Sequence, residues 1–138
     1  MERMVLCTGN PGKVAELRAL LPATIELLSL ADVGLPSDLP ETGATLEANA
    51  LQKARYAFDR VKLPCIADDT GLEVEALHGA PGVYSARYAG EAKDPEANMA
   101  RLLRELGTAD DRGARFRTVI AFVSVSYTHL TLPTSDLV

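Results

Sequence analysis

Two adjacent aspartates, Asp68 and Asp69, follow the apolar run 65–67 in the stretch CIADDTG. Successive side chains on a strand point to opposite faces, so the two carboxylates need not share one site. In α/β sheets, ligands gather beyond the carboxyl ends of strands, and Mg²⁺ takes one or two carboxylates together with phosphate oxygens. The pair therefore indicates either a cation site or an aspartate turn that closes a hairpin, in which Asp69 or Thr70 bonds the backbone.

A glycine-containing turn, TGNPGK, covers residues 8–13 between a short apolar run and a helical pattern. The backbone N–H groups of such a turn can approach an anion, and the N-terminus of the following helix points to the same place. Lys13 adds a mobile charge suited to phosphate. The spacing is not that of a Walker loop, because Val14 replaces the hydroxyl that would hold magnesium. A plain turn before a capped helix is the alternative.

A third stretch, ETGATLEANALQK at 41–53, carries two acids and a lysine. Glu41 lies in a predicted loop and Glu47 in the first turn of a predicted helix, where acids usually complement the helix dipole. By itself Lys53 is interpreted as a surface lysine. Further along, Arg87 in YSARY has two open interpretations: it meets a phosphate, or it braces a nearby acid.

The elements that must position these residues are predicted from periodicity and caps. A strand, a turn and a helix open an α/β unit. The helix over 45–61 carries an apolar stripe, and Asn49 and Lys53 share a different face. Asp94 and Gly107 cap a later helix whose apolar side holds Met99, Leu102, Leu103 and Leu106. The predicted strands are 4–8, 25–30, 63–67, 71–77 and 114–123, and the predicted helices are 13–21, 45–61 and 95–106.

Composition limits the class of protein. The chain has 138 residues, a net charge of −5 and 47% hydrophobic residues, which is an ordinary mixture for one globular domain. An acidic balance argues against a nucleic-acid polymer as partner but allows a single nucleotide. No signal peptide or membrane-length apolar run is visible, so we predict a cytoplasmic protein without a membrane partner. Cys7 and Cys65 are predicted to be buried free thiols.

The last fourteen residues differ in character from the rest. The segment 125–138, VSYTHLTLPTSDLV, has no helical period and no glycine, and it contains one charged residue. Its first ten residues resemble the translation of a sequencing adapter read through the end of a DNA fragment. We therefore expect residues 1–124 to be the N-terminal part of the natural domain and 125–138 to be a non-native tail. A genuine edge strand broken by proline is the alternative.

Three motifs in one order carry a family resemblance. TGNPGKVAEL, ETGATLEANALQKA and IADDTGLEVEALHGAPGVYSARYAG together resemble the house-cleaning nucleoside-triphosphate pyrophosphatases, the inosine triphosphatase family that acts on non-canonical purine nucleotides. The resemblance runs from about residue 4 to 123. It implies a mixed α/β fold in which a curved sheet is flanked by helices, with two lobes and a nucleotide cleft between them, incomplete here at the C-terminus.

The resemblance also implies roles for single residues. Asp69 matches the essential acid, described as proton acceptor and metal site, and Glu41 matches a second acid associated with magnesium. Lys53 matches a helix lysine that reaches the phosphates, and Thr70 a position that contacts substrate. Asp68, beside Asp69, is expected to support the ion. The triphosphate-binding loop is matched by Thr8, Gly9, Asn10, Pro11, Gly12 and Lys13.

The implied reaction is the Mg²⁺-dependent hydrolysis of ITP, dITP or XTP to the monophosphate and pyrophosphate. The family's later segments, of the FGYD and SHR types, do not occur in the sequence. We therefore expect this chain to be inactive alone, and the full-length protein to form a homodimer, as relatives commonly do. The alternatives are a Maf-like nucleotide pyrophosphatase, which should show serine and arginine in the opening loop, and an inactive nucleotide-binding fragment.

Overall fold

A computed structural model describes residues 2–90, 92–125 and 130–137. These ranges contain three α-helices and six strands. The helices are α1 (Pro11–Leu20), α2 (Leu46–Val61) and α3 (Pro95–Leu106). The strands are β1 (Glu2–Leu6), β2 (Ile25–Leu28), β3 (Cys65–Val74), β4 (Pro81–Gly82), β5 (Ala114–Val123) and β6 (Leu130–Leu137).

One mixed sheet organises the chain. Its strand order is β2-β1-β3-β5-β6, and the short β4 pairs with β3 beside this path. β1 runs parallel to both β2 and β3, whereas β3, β5 and β6 are successively antiparallel. The pairing of β3 with β5 continues over ten residues, from Cys65 opposite Val123 to Val74 opposite Ala114. The predicted mixed α/β fold is therefore confirmed.

The position of the two aspartates differs from the prediction. The sequence predicts separate strands over 63–67 and 71–77, but β3 is continuous from Cys65 to Val74, and residues 75–77 form a 3₁₀ turn. Asp68 and Asp69 lie in mid-strand, opposite Ile120 and Val119 of β5. Both a strand end and a hairpin turn at this place are therefore wrong. The reason is that β5 supplies a pairing partner for every residue of β3, which sequence periodicity does not report.

Helix α2 covers one face of the two central strands. Thr45 caps it by accepting a hydrogen bond from the N–H of Ala48 at 3.1 Å, and Lys62 ends it in a left-handed conformation. The face of α2 that packs on the sheet carries small side chains, which allow close approach. It contacts odd-numbered residues of β3 and β5. Buried residues at this contact include Leu46, Ala50, Ala54, Ala57, Cys65, Ala67, Val119 and Ala121.

Gly71 shows why the motif needs a glycine inside a strand. A Cβ at this position would overlap the carbonyl oxygen of Gly82 in β4 and would lie 3.2 Å from a methyl carbon of Leu46. Because the obstacle is backbone, it cannot be relieved by a rotamer change. Gly71 thus allows β4 to approach the strand that carries both aspartates.

Helix α3 has its predicted caps but not a buried face. Asp94 accepts a hydrogen bond from the N–H of Glu96 at 3.0 Å, and Gly107 ends the helix. No residue of α3 is buried, and Met99 and Leu103 are 58% and 64% exposed. The apolar side predicted for this helix therefore lies largely open to solvent in the part of the chain described.

The C-terminal segment forms an edge strand. β6 pairs with β5 from Arg115 opposite Leu137 to Phe122 opposite Leu130. Residues 126–129 and 138, which the predicted non-native tail includes, lie outside the described residues, and a boundary at 124 stays a prediction. Among the described helices, none combines the length and the apolarity that crossing a membrane requires.

Candidate active site

A polar cavity of about 350 Å³ opens where the chain leaves β1 and turns into α1. It brings together the glycine turn, the loop before α2, the middle of α2 and the two aspartates of β3. Its lining comprises Cys7, Thr8, Gly9, Lys13, Ser37, Asp38, Leu39, Glu41, Lys53, Asp68, Asp69, Thr70 and Lys93. Three stretches that are far apart in sequence, 7–13, 37–53 and 68–70, therefore converge on one space together with Lys93.

The turn at 8–13 is held by its own side chains. The Asn10 carboxamide accepts a hydrogen bond from the N–H of Gly12 at 2.9 Å, and the Asn10 N–H donates to the Thr8 hydroxyl at 3.2 Å. A Cβ at Gly9 would lie 2.6 Å from the carbonyl oxygen of Ser37, so glycine permits the close approach of the two loops. Thr8, Gly9 and Lys13 line the cavity, whereas Asn10, Pro11 and Gly12 do not.

The two aspartates serve opposite faces of the sheet, as strand geometry predicts. The Lys13 ammonium lies 3.1 Å from Oδ2 of Asp68, and both side chains are partly exposed. Asp69 points to the other face, toward α2, and its side chain is 13% exposed. The mutual repulsion of the neighbouring acids is reduced because each has a different lysine as its counter-ion.

Lys53 lies in the interior, so the interpretation as a surface lysine is wrong. Only 9% of the residue is exposed. Its Nζ donates to the Asp68 carbonyl oxygen at 2.5 Å and lies 3.1 Å from Oε1 of Glu41 and 3.8 Å from Oδ1 of Asp69. Burying an ammonium costs several kcal/mol unless oxygens surround it. Lys53 therefore places one positive charge close to both Glu41 and Asp69.

The environment of Asp69 raises the pKa of its carboxyl group toward neutral pH. Burial raises the pKa of Asp69 from 3.8 to about 6, and the Lys53 charge opposes this rise while the Glu41 charge adds to it. Among the described residues, Oδ2 of Asp69 has no hydrogen-bond partner although it is buried. Asp69 thus has a pKa close to neutral pH, which suits a general base. It also has an oxygen that can accept a hydrogen bond or coordinate a ligand.

The raised pKa predicts how stability depends on pH. Below pH 3.8 Asp69 is neutral in both folded and unfolded chains, and above pH 6 the folded chain must hold it ionised at a cost. The free energy of unfolding of the wild type should therefore fall, relative to Asp69→Asn, by about 2 kcal/mol between pH 4 and pH 7.5. Urea unfolding of both chains without divalent cations measures this difference. A gap that stays constant across the range would contradict the assignment.

Glu41 is held from two sides. Its Oε1 faces Lys53, and its Oε2 lies 3.5 Å from Nη1 of Arg87. Of the two open interpretations of Arg87, the structure places it beside an acid. On the opposite face, the Thr70 hydroxyl lies 2.8 Å from the Thr118 hydroxyl. Glu41 is therefore fixed by two cations, whereas Thr70 is tied to β5.

Several residues at the cavity carry no signal in the sequence. Lys93 and Asp38 form an ion pair of 3.1 Å at its wall, and Ser37 lies beside them. Residues 31–43 are predicted only as a loop, and the loop before α3 has no periodicity. Asn49 does not line the cavity, but it is buried on the same face of α2 as Lys53, as their spacing of four predicts.

The carboxylates at the cavity decide whether a divalent cation could bind there. Within the described ranges, no group of three or more histidine, cysteine, aspartate or glutamate side chains is arranged to hold a metal. Mg²⁺ does not require such a group, since it takes one or two carboxylates and completes its shell with phosphate oxygens and waters. The buried, unbonded Oδ2 of Asp69 fits this requirement. Glu41 fits as a second donor only if it shares its oxygens with Lys53 and Arg87.

The fold and the cavity define a class: mixed α/β proteins in which a glycine turn, a buried lysine and a mid-strand acid meet at one polar site. A sequence model of the Ham1 family matches residues 4–132, and the chain belongs to this family. The match covers all three motifs of the site. The Maf-like alternative is accordingly not favoured.

Individual relatives agree with this membership. The chain is 54% identical over 119 residues to a dITP/XTP pyrophosphatase of Christiangramia forsetii, which covers 86% of this chain and 63% of that protein. It is 45% identical over 124 residues to a dITP/XTP pyrophosphatase of Bacillus subtilis, covering 88% of this chain and again 63% of the relative. The chain thus spans somewhat less than two thirds of the length of these relatives.

Solved structures show the same fold. The Staphylococcus aureus Ham1 protein superposes with a TM-score of 0.91 at 37% identity, over 99% of this chain and 70% of that one. A nucleoside-triphosphatase / dITP/XTP pyrophosphatase of Mycobacterium abscessus gives a TM-score of 0.85 at 40% identity, over 98% of this chain and 72% of its own length.

Proposed function

We propose that the protein from which this chain comes hydrolyses non-canonical purine nucleoside triphosphates, ITP, dITP and XTP, to the monophosphate and pyrophosphate. The observation that carries the proposal is the convergence of the glycine turn, Lys53, Glu41 and Asp69 on one polar cavity. The relatives' names supply the substrate class, because proteins 45–54% identical to this chain are dITP/XTP pyrophosphatases. Hydrolysis of these nucleotides would remove them from the nucleotide pool.

The turn and the lysines bind the polyphosphate in this proposal. The N–H groups at the start of α1 and the Lys13 ammonium offer donors to phosphate oxygens from one side of the cavity. Lys53 offers its charge from the opposite wall. The substrate-binding residues are those that the resemblance implies: Thr8, Gly9, Asn10, Pro11, Gly12, Lys13, Lys53 and Thr70.

Asp69 is the proposed catalytic base. Water attacks the α-phosphorus, the new oxygen–phosphorus bond forms, and the bond to the β-phosphate oxygen breaks, so that pyrophosphate leaves. The carboxylate of Asp69 accepts the water proton, and a pKa of about 6 keeps it ionised at neutral pH while leaving it basic enough to act. Lys13 and Lys53 stabilise the negative charge that develops on the phosphate oxygens.

Magnesium is the proposed cofactor, and Asp69 and Glu41 are the residues that would hold it. When bound, the ion polarises phosphate oxygens and neutralises charge on the departing pyrophosphate. The unbonded oxygen of Asp69 supports this donor set, and Glu41 would join it by sharing oxygens that also face Lys53 and Arg87. A cytoplasmic location stays a prediction from the sequence, and a homodimer of the full-length protein stays a prediction from the family resemblance.

The test uses two proteins. The first is the 138-residue chain, and the second, called the extended chain, has residues 125–138 replaced by the C-terminal segment of the Christiangramia forsetii relative. We expect the extended chain to release pyrophosphate from dITP with Mg²⁺, to stop on addition of EDTA, and to act far more slowly on dGTP. Equal rates on dITP and dGTP, or none on either by a folded extended chain, would overturn the proposal.

An inactive nucleotide-binding fragment is the second candidate for the 138-residue chain itself, because the chain spans only 63% of its relatives' length. We expect this chain to bind a triphosphate through the cavity and to release no pyrophosphate. Calorimetric titration with a non-hydrolysable dITP analogue measures the binding. Pyrophosphate release by the 138-residue chain at the rate of the extended chain would contradict this second candidate.

A further inference from the structure

The ion pair between Lys93 and Asp38 has no part in the reaction proposed above. Both residues line the cavity that also holds the glycine turn, Lys53 and Asp69. The Lys93 ammonium lies 3.1 Å from Oδ1 of Asp38, and the two side chains are 38% and 74% exposed. A lysine at the wall of a polyphosphate site can bind a phosphate as well as an acid.

The loop that carries Asp38 lies against the glycine turn. A Cβ at Gly9 would come within 2.6 Å of the carbonyl oxygen of Ser37, the residue before Asp38, so the two backbones are in contact. The ion pair holds the Lys93 ammonium next to this loop. Lys93 is therefore kept close to the turn on whose N–H groups the proposed function places the phosphates.

Helix α3 fixes the backbone on both sides of Lys93. Asn98 accepts a hydrogen bond from the N–H of Ala89 at 2.7 Å and donates one to the carbonyl oxygen of Ala86 at 2.9 Å. Asp94, directly after Lys93, caps the helix. The position of Lys93 thus depends on α3, although no residue of that helix is buried.

The lysines of the cavity must exchange partners before they can bind a polyphosphate. The cavity lining includes three lysines and four acids. Each of these lysines lies 3.1 Å from a carboxylate oxygen. A lysine that moves onto a phosphate leaves this carboxylate behind. The cost of the exchange therefore depends on how well water solvates the acid that remains.

Asp38 is the acid that can be left at the lowest cost. Its side chain is 74% exposed, against 26% for Asp68 and 23% for Glu41. An exposed ion pair contributes little to stability because water solvates both charges when the pair opens. A carboxylate in a poorly solvated place has no such compensation. Of the three lysines, Lys93 is therefore the one that a phosphate can take from its partner most easily.

We propose that Lys93 is a further substrate-binding residue, whose ammonium leaves Asp38 and binds a phosphate oxygen of the nucleoside triphosphate. Asp38 then competes with the substrate for the lysine. The inference rests on the proposed function, because it assigns Lys93 a contact with the substrate of the same site. It also gives α3 a part in that site, as the helix that holds the loop of Lys93.

The first experiment titrates the 138-residue chain with inorganic triphosphate in a calorimeter at low salt. We expect Lys93→Met to weaken binding about tenfold, the effect of losing one hydrogen bond between charged groups. Lys62→Met is the matched control. Lys62 has the same left-handed backbone as Lys93, with φ of 56° and 54°, but does not line the cavity. Equal affinities of the two variants would overturn the inference.

Asp38→Asn separates a lysine that binds phosphate from one that only joins two loops. Asparagine carries no charge to hold the ammonium, so we expect inorganic triphosphate to bind about threefold more tightly. In a Lys93→Met background the gain should be smaller, because no lysine is released. Weaker binding by Asp38→Asn would mean that the pair only joins the loops. An equal gain in both backgrounds would mean that Asp38 acts by its charge alone, and either result would overturn the inference.

The third experiment measures turnover of dITP by the extended chain. We expect Lys93→Met to raise KM about tenfold and to keep kcat within about threefold, since it removes binding that ground state and transition state share. Lys93→Arg keeps the charge and should bring KM back to within about threefold of the wild type. A KM as high in Lys93→Arg as in Lys93→Met would show that the charge of residue 93 does not bind the substrate.

Failure of the inference and failure of the proposed function can be told apart. If the extended chain does not hydrolyse dITP, the proposed function fails, but the titration with inorganic triphosphate still tests whether Lys93 binds a polyphosphate. If the extended chain hydrolyses dITP and Lys93→Met matches Lys62→Met in both affinity and KM, the proposed function stands and the role of Lys93 is refuted.

Discussion

Replacing Asp69 by asparagine is expected to lower pyrophosphate release by the extended chain about 1,000-fold, without loss of the fold. The amide keeps the size of the side chain but accepts no proton, and a positioned general base contributes 10²- to 10⁴-fold to a rate. The same change removes a carboxylate whose pKa burial raises to about 6, so the variant should be at least as stable as the wild type at pH 7.5. Steady-state assay with dITP and urea unfolding measure the two effects.

Asp68→Asn is the matched control, since the two aspartates are neighbours on the same strand. Asp68 faces Lys13 at 3.1 Å on the other side of the sheet, and both side chains of that pair are partly exposed. We expect its loss to reduce turnover by about tenfold or less, through weaker placement of Lys13. Equal losses for Asp68→Asn and Asp69→Asn would mean that net negative charge, and not a base on the α2 face, carries the reaction.

Local signals in the sequence predicted the elements well. The strand at 114–123 has its predicted bounds, α2 begins one residue after the predicted start at Thr45, and α3 begins after the predicted cap Asp94. These features depend on neighbours within a few residues, such as a hydroxyl or carboxylate that accepts from the first free N–H groups of a helix. Propensity and capping therefore suffice to place them.

The path of the central strand could not be predicted in the same way. Asp68, Asp69 and Gly71 are poor strand formers, so the sequence indicated a break. Their extended conformation depends on β5, whose nearest partner in the register is about forty residues away. A pairing over such a distance leaves no period in the local sequence, although it decides which face each aspartate occupies.

For a related reason, the burial and ion pairing of the charged residues in the site could not be predicted from the sequence. Lysine is seldom buried, so Lys53 alone indicates a surface position. Its burial follows from three oxygens, those of Glu41, Asp68 and Asp69, which come from a loop and a strand that flank α2 in sequence. Likewise, only the structure shows that Arg87 pairs with Glu41, because the two residues are distant in sequence. Before the structure, only the family resemblance joined Glu41, Lys53 and Asp69.

Lys53→Met is expected to destabilise the 138-residue chain by about 3 kcal/mol at pH 7.5. The methionine fills similar space, but Glu41 and Asp69 lose the ammonium that lies 3.1 and 3.8 Å from their oxygens. Removing one partner of a buried charge cluster costs 3–5 kcal/mol, because the remaining charges stay in a poorly solvated place. Urea unfolding measures the loss, which should shrink at pH 4, because this pH lies below the raised pKa of Asp69, about 6, and the Asp69 carboxyl is then neutral.

Lys13→Met controls for the loss of a lysine as such. Lys13 pairs with Asp68 at nearly the same distance, but its side chain is 48% exposed, so we expect a cost below about 1 kcal/mol. Similar costs for the two variants would show that Lys53 holds no buried cluster together.

The combination Lys53→Met/Asp69→Asn tests whether the cost arises from the stranded acids. If Lys53 stabilises the fold by neutralising Asp69, then Asp69→Asn should raise the stability of the Lys53→Met chain by at least about 1 kcal/mol more than it raises that of the wild type, as contacting residues in one ionic network are not additive. An equal effect of Asp69→Asn in both chains would place the energy of Lys53 in its hydrogen bond to the Asp68 carbonyl oxygen at 2.5 Å, which Asp69→Asn leaves untouched. The hydrogen bond from Lys53 to the backbone would then account for its stabilising effect, and the positions of the two acids would not depend on the lysine.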